Sequence, residues 1–298
     1  MPSHRSSTLA AFLVACLGIA LFSIMDGVMK ALVIAIGAYN AMLWRQIVGF
    51  GLGGAAFLGT RGRWPGRAAM RLHIARGTIA GLMAFAFFWG IARVPLAEGI
   101  ALSFIAPLIT LYLAAVLLKE KISRQSILAS FLGLSGVAVI FAARVGQMGH
   151  DIQALWGMAA IFVSAVLYAY NLILQRQQAQ IAGPVEVAFF VNAFALATML
   201  VAAPWLAVVP SLDYAPGIAL AAVLSFVSVM LLSWAYARAE AQILVPVEYT
   251  AFIWAAIVGW FAFQEEVTPS TFAGALLIVA GCLIAARQRP EHVETAAL

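Results

Sequence analysis

The sequence predicts an all-α polytopic membrane protein of ten transmembrane helices, arranged as a five-plus-five inverted repeat. Three observations carry that prediction. Of its 298 residues, 64% are hydrophobic and 10% charged, with a mean hydropathy of +1.01; a soluble domain carries roughly 25% charged residues. The second half repeats the first at an offset of 145: Trp89-Gly90-Ile91-Ala92-Arg93 recurs as Trp234-Ala235-Tyr236-Ala237-Arg238, and the same offset carries Glu120 onto Glu265 and Gly136 onto Gly281. Basic residues, finally, gather in alternate loops.

About 20 apolar residues cross a bilayer. The expected spans are 8–34, 38–59, 69–92, 96–118, 124–143, 152–175, 184–207, 216–237, 242–263 and 269–287. Breakers punctuate them at Gly62 and Pro65, Pro95, Gly146 and Gly149, Gly183-Pro184, Pro210 to Pro216, and Pro269. His4 and Arg5 precede the first apolar run, which exceeds the roughly 7–15 residues of a signal-peptide core and reads as a transmembrane helix. With ten spans, Arg5, Arg61, Arg63, Arg67, Arg71, Lys119, Lys121, Arg124, Arg176, Arg238, Arg287 and Arg289 fall on one side, and Arg93 and Arg144 on the other. The positive-inside rule then puts both termini in the cytoplasm, at a cell (inner) membrane. Residues 1–147 form the first five-helix repeat, 148–290 the second, and 291–298 a polar, disordered tail. Each repeat crosses an odd number of times, so the two face opposite ways, the arrangement from which many carriers build two gates around one site. Gly49 with Gly53, and Gly133 with Gly136, mark faces where helices can approach closely.

Several function classes are excluded. The net charge of +5 sits in short loops that set topology, which argues against a nucleic-acid partner. Cys16 and Cys282 fall inside apolar spans and make neither a disulfide framework nor a metal pattern. His4, His73, His150 and His292 are expected in loops or tails, so no intramembrane histidine cluster is expected for metal or proton relay. Neither a Walker motif nor HExxH occurs. No cofactor, metal or enzymatic activity is expected, and the energy for transport must come from gradients.

The run Pro95-Leu96-Ala97-Glu98-Gly99-Ile100-Ala101-Leu102-Ser103-Phe104-Ile105-Ala106-Pro107, closing with Lys119-Glu120, resembles the fourth span of EamA-type members of the drug/metabolite transporter superfamily. Its counterpart runs from Ala239 through Pro246 to Glu265, then from Phe272 to Gly281. Lys30 late in the first helix with Arg45 in the second is also typical of that family. The resemblance covers nearly the whole chain. It implies the EamA fold, a ten-helix alternating-access carrier with a central cavity whose members move amino acids, other metabolites or drugs. Among its branches, the chain is most similar to the YddG-type amino-acid exporters.

Ionisable residues inside a span are costly and are functional candidates by default. Asp26 and Lys30 lie four apart, so they either neutralise each other or open to meet a substrate's ammonium and carboxylate. Arg45 lies at similar depth and either shares Asp26 or meets substrate. Arg76 reads as a snorkelling side chain. Glu98 and Glu186 read as first-turn acids complementing helix dipoles. Glu120 and Glu265 end helices 4 and 9 and read as scaffold. Glu248, two residues after Pro246, and its repeat mate Ser103, four before Pro107, lie where proline loosens a helix, the place expected for a central site. Tyr249 is grouped with them. Asn171 is the repeat mate of Asp26, with Tyr168 and Tyr170 beside it. Trp89 and Trp234 either anchor at headgroups or face inward and stack on an aromatic substrate. Phe22, Met25 and Met83 read as an adaptable apolar wall or as plain packing.

The expected function is export of amino acids, neutral or aromatic, by a monomeric carrier embedded in the bilayer. Proton-coupled efflux of cationic drugs, with Glu248 or Asp26 as proton carrier, is the alternative, and a membrane transferase ranks behind both.

Overall fold

A computed structural model describes residues 3–60, 64–106, 108–110, 112–113, 124–147, 152–179, 181–236, 247 and 249–286. Pro107, Pro246, Glu248, Glu120 and the tail at 291–298 lie outside the described residues. Ten α-helices longer than a single turn follow one another, and no strand occurs among the described residues: α1 (Ser3–Ile36), α2 (Ala38–Gly59), α3 (Arg67–Ile91), α4 (Leu96–Ser103), α5 (Arg124–Gln147), α6 (Ile152–Ala179), α7 (Pro184–Leu200), α8 (Ala215–Tyr236), α9 (Ala251–Phe263) and α10 (Pro269–Ala286).

Among the described residues, five apolar stretches, within 10–36, 38–59, 67–91, 152–175 and 212–232, are long enough to cross a membrane, and shorter apolar helices occupy the places of the other five expected spans. Leu13, Ile34, Phe131 and Phe261 point outward as an apolar surface suited to lipid. The chain is a multi-pass membrane protein.

Local chemistry sets the ends. Gly37 turns α1 into α2 in one residue at φ 80, a conformation without steric cost for glycine. Helix α7 stops at Leu200 instead of reaching 207, and the reason is Pro204: it has no N–H for the Leu200 carbonyl, and its ring crowds that carbonyl. A single helical turn, Ala203–Leu206, follows. Helix α4 likewise ends at Ser103, four residues before Pro107, and continues as tight turns in which Phe104 N donates to Ala101 O and Ile105 N to Leu102 O. The described part of span nine shows the matching irregularity: Thr250 N donates to Val247 O ahead of α9.

The packing has a pseudo-two-fold. The repeat exchanges α1 with α6, α2 with α7, α3 with α8, α4 with α9 and α5 with α10. Under that exchange the pairings α1·α8, α1·α9 and α2·α8 become α6·α3, α6·α4 and α7·α3, all of which occur; α2·α7, α4·α9 and α5·α10 map onto themselves and also occur. The strongest pairings therefore cross between repeats. Glycine permits two of them. A Cβ on Gly136 would stand 2.5 Å from Gly274 O, and one on Gly90 would stand 2.7 Å from Gly157 O, both inside van der Waals contact. Gly49 and Gly53 of α2 similarly admit Asn192 and Phe189 of α7.

Candidate functional site

A cavity of about 100 Å³ opens between α2, α3, α7 and α8. The repeat exchange maps this set of helices onto itself, so the cavity straddles the pseudo-two-fold. Polar side chains lining it are Arg45 and Gln46 from α2, Arg76 from α3, Asn192 from α7 and Ser225 from α8; Val187, Val191, Phe226 and Val229 supply apolar wall.

Arg45 is buried. Its Nη1 donates to Ser225 Oγ at 3.3 Å, its guanidinium lies 5.7 Å from the centre of the Phe88 ring, and its Nε has no partner among the described residues. Asp26, buried on α1, acts on Arg45 through space without a direct ion pair. Arg76 is half-buried and held by neighbours: Nη1 donates to Gln178 Oε1 and Nη2 to the exposed Gln175 Oε1 at 3.1 Å, while Nε is unsatisfied. Tyr168 on α6 faces it electrostatically. Neither guanidinium forms an ion pair with a carboxylate among the described residues. Two cations thus line a chamber to which no described acid contributes.

Lys30 belongs elsewhere. Its expected partner was Asp26, but its ammonium reaches away to Glu265 after α9 and donates to Val94 O at 2.7 Å, with the Phe263 ring 5.0 Å away. Glu265 Oε2 in turn accepts from Leu96 N at 2.8 Å. That bond serves the N-terminus of α4, whose first turn also holds the buried acid Glu98. Lys30 and Glu265 thereby fasten α1, the α3–α4 turn and α9 at the Gly37 end of the bundle. Tyr39 Oη, donating to Met199 O, and Trp44 Nε1, donating to Val208 O at 2.9 Å, tie α2 to the end of α7 on the same side.

The two helix irregularities face each other. Phe104 and Tyr249, repeat mates at the offset of 145, meet edge to face with ring centres 5.2 Å apart. Ser103 beside them donates to Gly99 O at 2.9 Å. Asn171 is buried, and its Oδ1 has no partner among the described residues. Trp89 stacks under the Arg93 guanidinium at 3.4 Å, and Trp234 is 38% exposed; neither lines the cavity.

His73 was expected in a loop; it is fully buried within α3. Its Nε2 lies 2.9 Å from Glu186 Oε1, its Nδ1 lies against Gln178 Nε2, and its ring stacks on Phe190 at 4.8 Å. Glu186, in the first turn of α7, thus has a side-chain partner besides the helix dipole. Gln46, Gln175, Gln178, Asn192 and Ser225 were not singled out in the sequence. The available signal was spacing: His73 with Arg76, and Gln175 with Gln178, are i,i+3 pairs that share a helix face.

A pseudo-symmetric, all-helical membrane protein with a polar chamber between its repeats is a transporter by architecture. The chain belongs to the EamA-like transporter family, whose model matches residues 9–142 and 155–287. A transporter of Helicobacter pylori, not characterised further, is 30% identical over 215 residues, covering 70% of this chain and 72% of its own. The pseudopaline exporter CntI of Pseudomonas aeruginosa is 26% identical over 90% of this chain and 93% of its own. The aromatic amino acid exporter YddG of Ancylobacter novellus is 28% identical over 42% of each chain. More distant relatives are a riboflavin transporter and S-adenosylmethionine uptake transporters. A crystal structure superposes with a TM-score of 0.61 at 20% identity, over 94% of this chain and 96% of its own, and shares the fold. The relatives are carriers of small molecules and not enzymes, and this chain is likewise a small-molecule transporter.

Proposed function

We propose that the chain exports amino acids, neutral or aromatic ones, across the cytoplasmic membrane by alternating access, as a monomer with both termini in the cytoplasm. The observation that carries this reading is the charge of the chamber. Arg45 and Arg76 present guanidinium donors suited to a carboxylate, and no described acid lines the chamber to compete for them. Phe226 and the valines offer an apolar surface to a side chain. The same chamber disfavours cationic drugs, which would meet two like charges. The exporter names of the relatives in Pseudomonas and Ancylobacter agree with the direction.

In this mechanism, Lys30 and Glu265 hold the Gly37 end shut, and that end is the outer one. Substrate enters from the Trp64 end, its carboxylate exchanging protein acceptors for the two guanidinium groups. The bundle then reverses about the pseudo-two-fold, with Ser103 and Tyr249 at the helix irregularities as the flexing points. Proteoliposomes loaded with radiolabelled L-phenylalanine test the reading. Saturable, protein-dependent efflux inhibited by other neutral amino acids is expected; absence of flux for every standard amino acid would reject it.

A further inference from the structure

The polar groups between His73 and the cavity form one continuous chain whose donors and acceptors are fixed. Arg76 has donors alone, so Gln178 must turn its Oε1 toward Arg76 and its Nε2 amide toward His73. An amide N–H facing Nδ1 requires an unprotonated Nδ1, so the neutral ring carries its proton on Nε2 and donates it to Glu186. Glu186 is 23% exposed at the Trp64 end and connects this ring to solvent.

A second proton therefore has one place to go, Nδ1, and its arrival forbids the present orientation of Gln178. The amide must rotate to offer Oε1 to the new N–H, which turns its NH₂ toward Arg76 and removes an acceptor from the guanidinium. We propose that His73 is a proton-binding site that sets the position of Arg76 through Gln178, so that protonation frees this arginine toward the cavity and tightens binding of a carboxylate ligand.

The balance of charge supports the step. The imidazolium formed would face Glu186 from α7, a carboxylate at hydrogen-bond distance. From α6 it faces the neutral Gln178, with Tyr168 further along toward Arg76. On its own helix Arg76 is the near cation, while Arg67 and Arg71 are exposed; the described ionisable residues of α2 are Tyr39, at its start, and Arg45. Gaining a proton beside Arg76 adds like charge on that side, which favours the same outward movement. His73 is a positioning residue in this scheme and Arg76 the group that meets ligand. The idea rests on the proposed function for its ligand class but not for the proton site itself.

Two measurements on the full chain in lipid nanodiscs separate these. In the first, protein labelled with ¹⁵N at histidine and arginine is titrated between about pH 5 and 8, the range where histidine changes charge, with the His73 signals assigned by their loss in His73→Gln. At the alkaline end His73 should show the Nε2–H tautomer. On acidification the Arg76 side-chain signals should move with the His73 midpoint, and Gln178→Leu should leave that titration while abolishing the arginine response. A neutral ring protonated at Nδ1, or Arg76 signals indifferent to the titration, would overturn the proposal. In the second, the dissociation constant of L-phenylalanine should fall about tenfold as His73 becomes protonated, the worth of a charge-assisted hydrogen bond, and should become independent of pH in His73→Gln and Gln178→Leu. A pH response that survives in both variants counts against His73. Failure of the wild type to bind L-phenylalanine at any pH would sink the amino-acid reading, while the resonance titration would still decide the proton site.

Discussion

Replacing Glu265 by Ala should destabilise the chain far more than replacing its partner Lys30 by Ala. Lys30 Nζ is buried, at 4% side-chain exposure, and Glu265 is at 19%. Glu265→Ala leaves the ammonium in the interior without this carboxylate, a change that costs about 3–5 kcal/mol when one member of a buried pair is removed. It also strips the acceptor from Leu96 N–H, adding about 1 kcal/mol. Lys30→Ala leaves a carboxylate that water reaches and that still accepts from Leu96 N–H. Its cost is the Val94 carbonyl's donor and the lost packing on Phe263, about 1–3 kcal/mol. The double variant should fall within about 1 kcal/mol of Lys30→Ala, the difference being the lost Leu96 acceptor, because no buried ammonium remains, giving a coupling of about 3–5 kcal/mol. Reversible unfolding in mixed micelles measures all four chains. Additive losses, or a Lys30 variant as damaged as the Glu265 variant, would refute the reasoning. The same cycle bears on transport: weakening the latch by about 1.4 kcal/mol shifts a two-state equilibrium tenfold toward opening at the Gly37 end, and a cysteine placed at Val94 should label faster in Glu265→Ala.

Gly136→Leu should prevent the α5–α10 crossing, because even a Cβ would stand 2.5 Å from the Gly274 carbonyl; loss of the monodisperse peak in gel filtration is the expected result, against a milder loss for Gly51→Leu, where nothing lies within 4 Å. Gln264 closes α9 at φ 56, so Gln264→Gly should relieve about 1 kcal/mol of left-handed strain and raise the midpoint of thermal unfolding.

The sequence makes the frame readable because its signals are local or periodic. Apolar runs, the offset of 145 and the proline rule are visible without coordinates, and Pro204 accounts for the early end of α7 as Pro107 does for α4. The offset even pairs Phe104 with Tyr249, although their contact is a matter of three dimensions. Side-chain partners were legible only where they are near in sequence, and there the inference misled. Asp26 and Lys30 share a helix face, yet Lys30 chooses an acid 235 residues away, because the helix end brings it to the α3–α4 turn and the end of α9. His73 and Arg76 looked peripheral from their distance to the end of α3. His73 is enclosed and Arg76 half-buried because α6 and α7 extend alongside, an arrangement that follows from the crossed pairing of the repeats. Gln175 and Gln178 were not singled out because their partners lie about a hundred residues away in sequence.

The most direct measurement is calorimetric titration of the purified chain with L-phenylalanine and with phenethylamine, which differs by the missing carboxylate, in wild type and in Arg45→Gln. If the Arg45 guanidinium is the carboxylate site, the wild type binds the amino acid and rejects the amine, and Arg45→Gln loses about 1.5–3 kcal/mol of that preference. Equal binding of both compounds by the wild type, or an undiminished preference in Arg45→Gln, would contradict it.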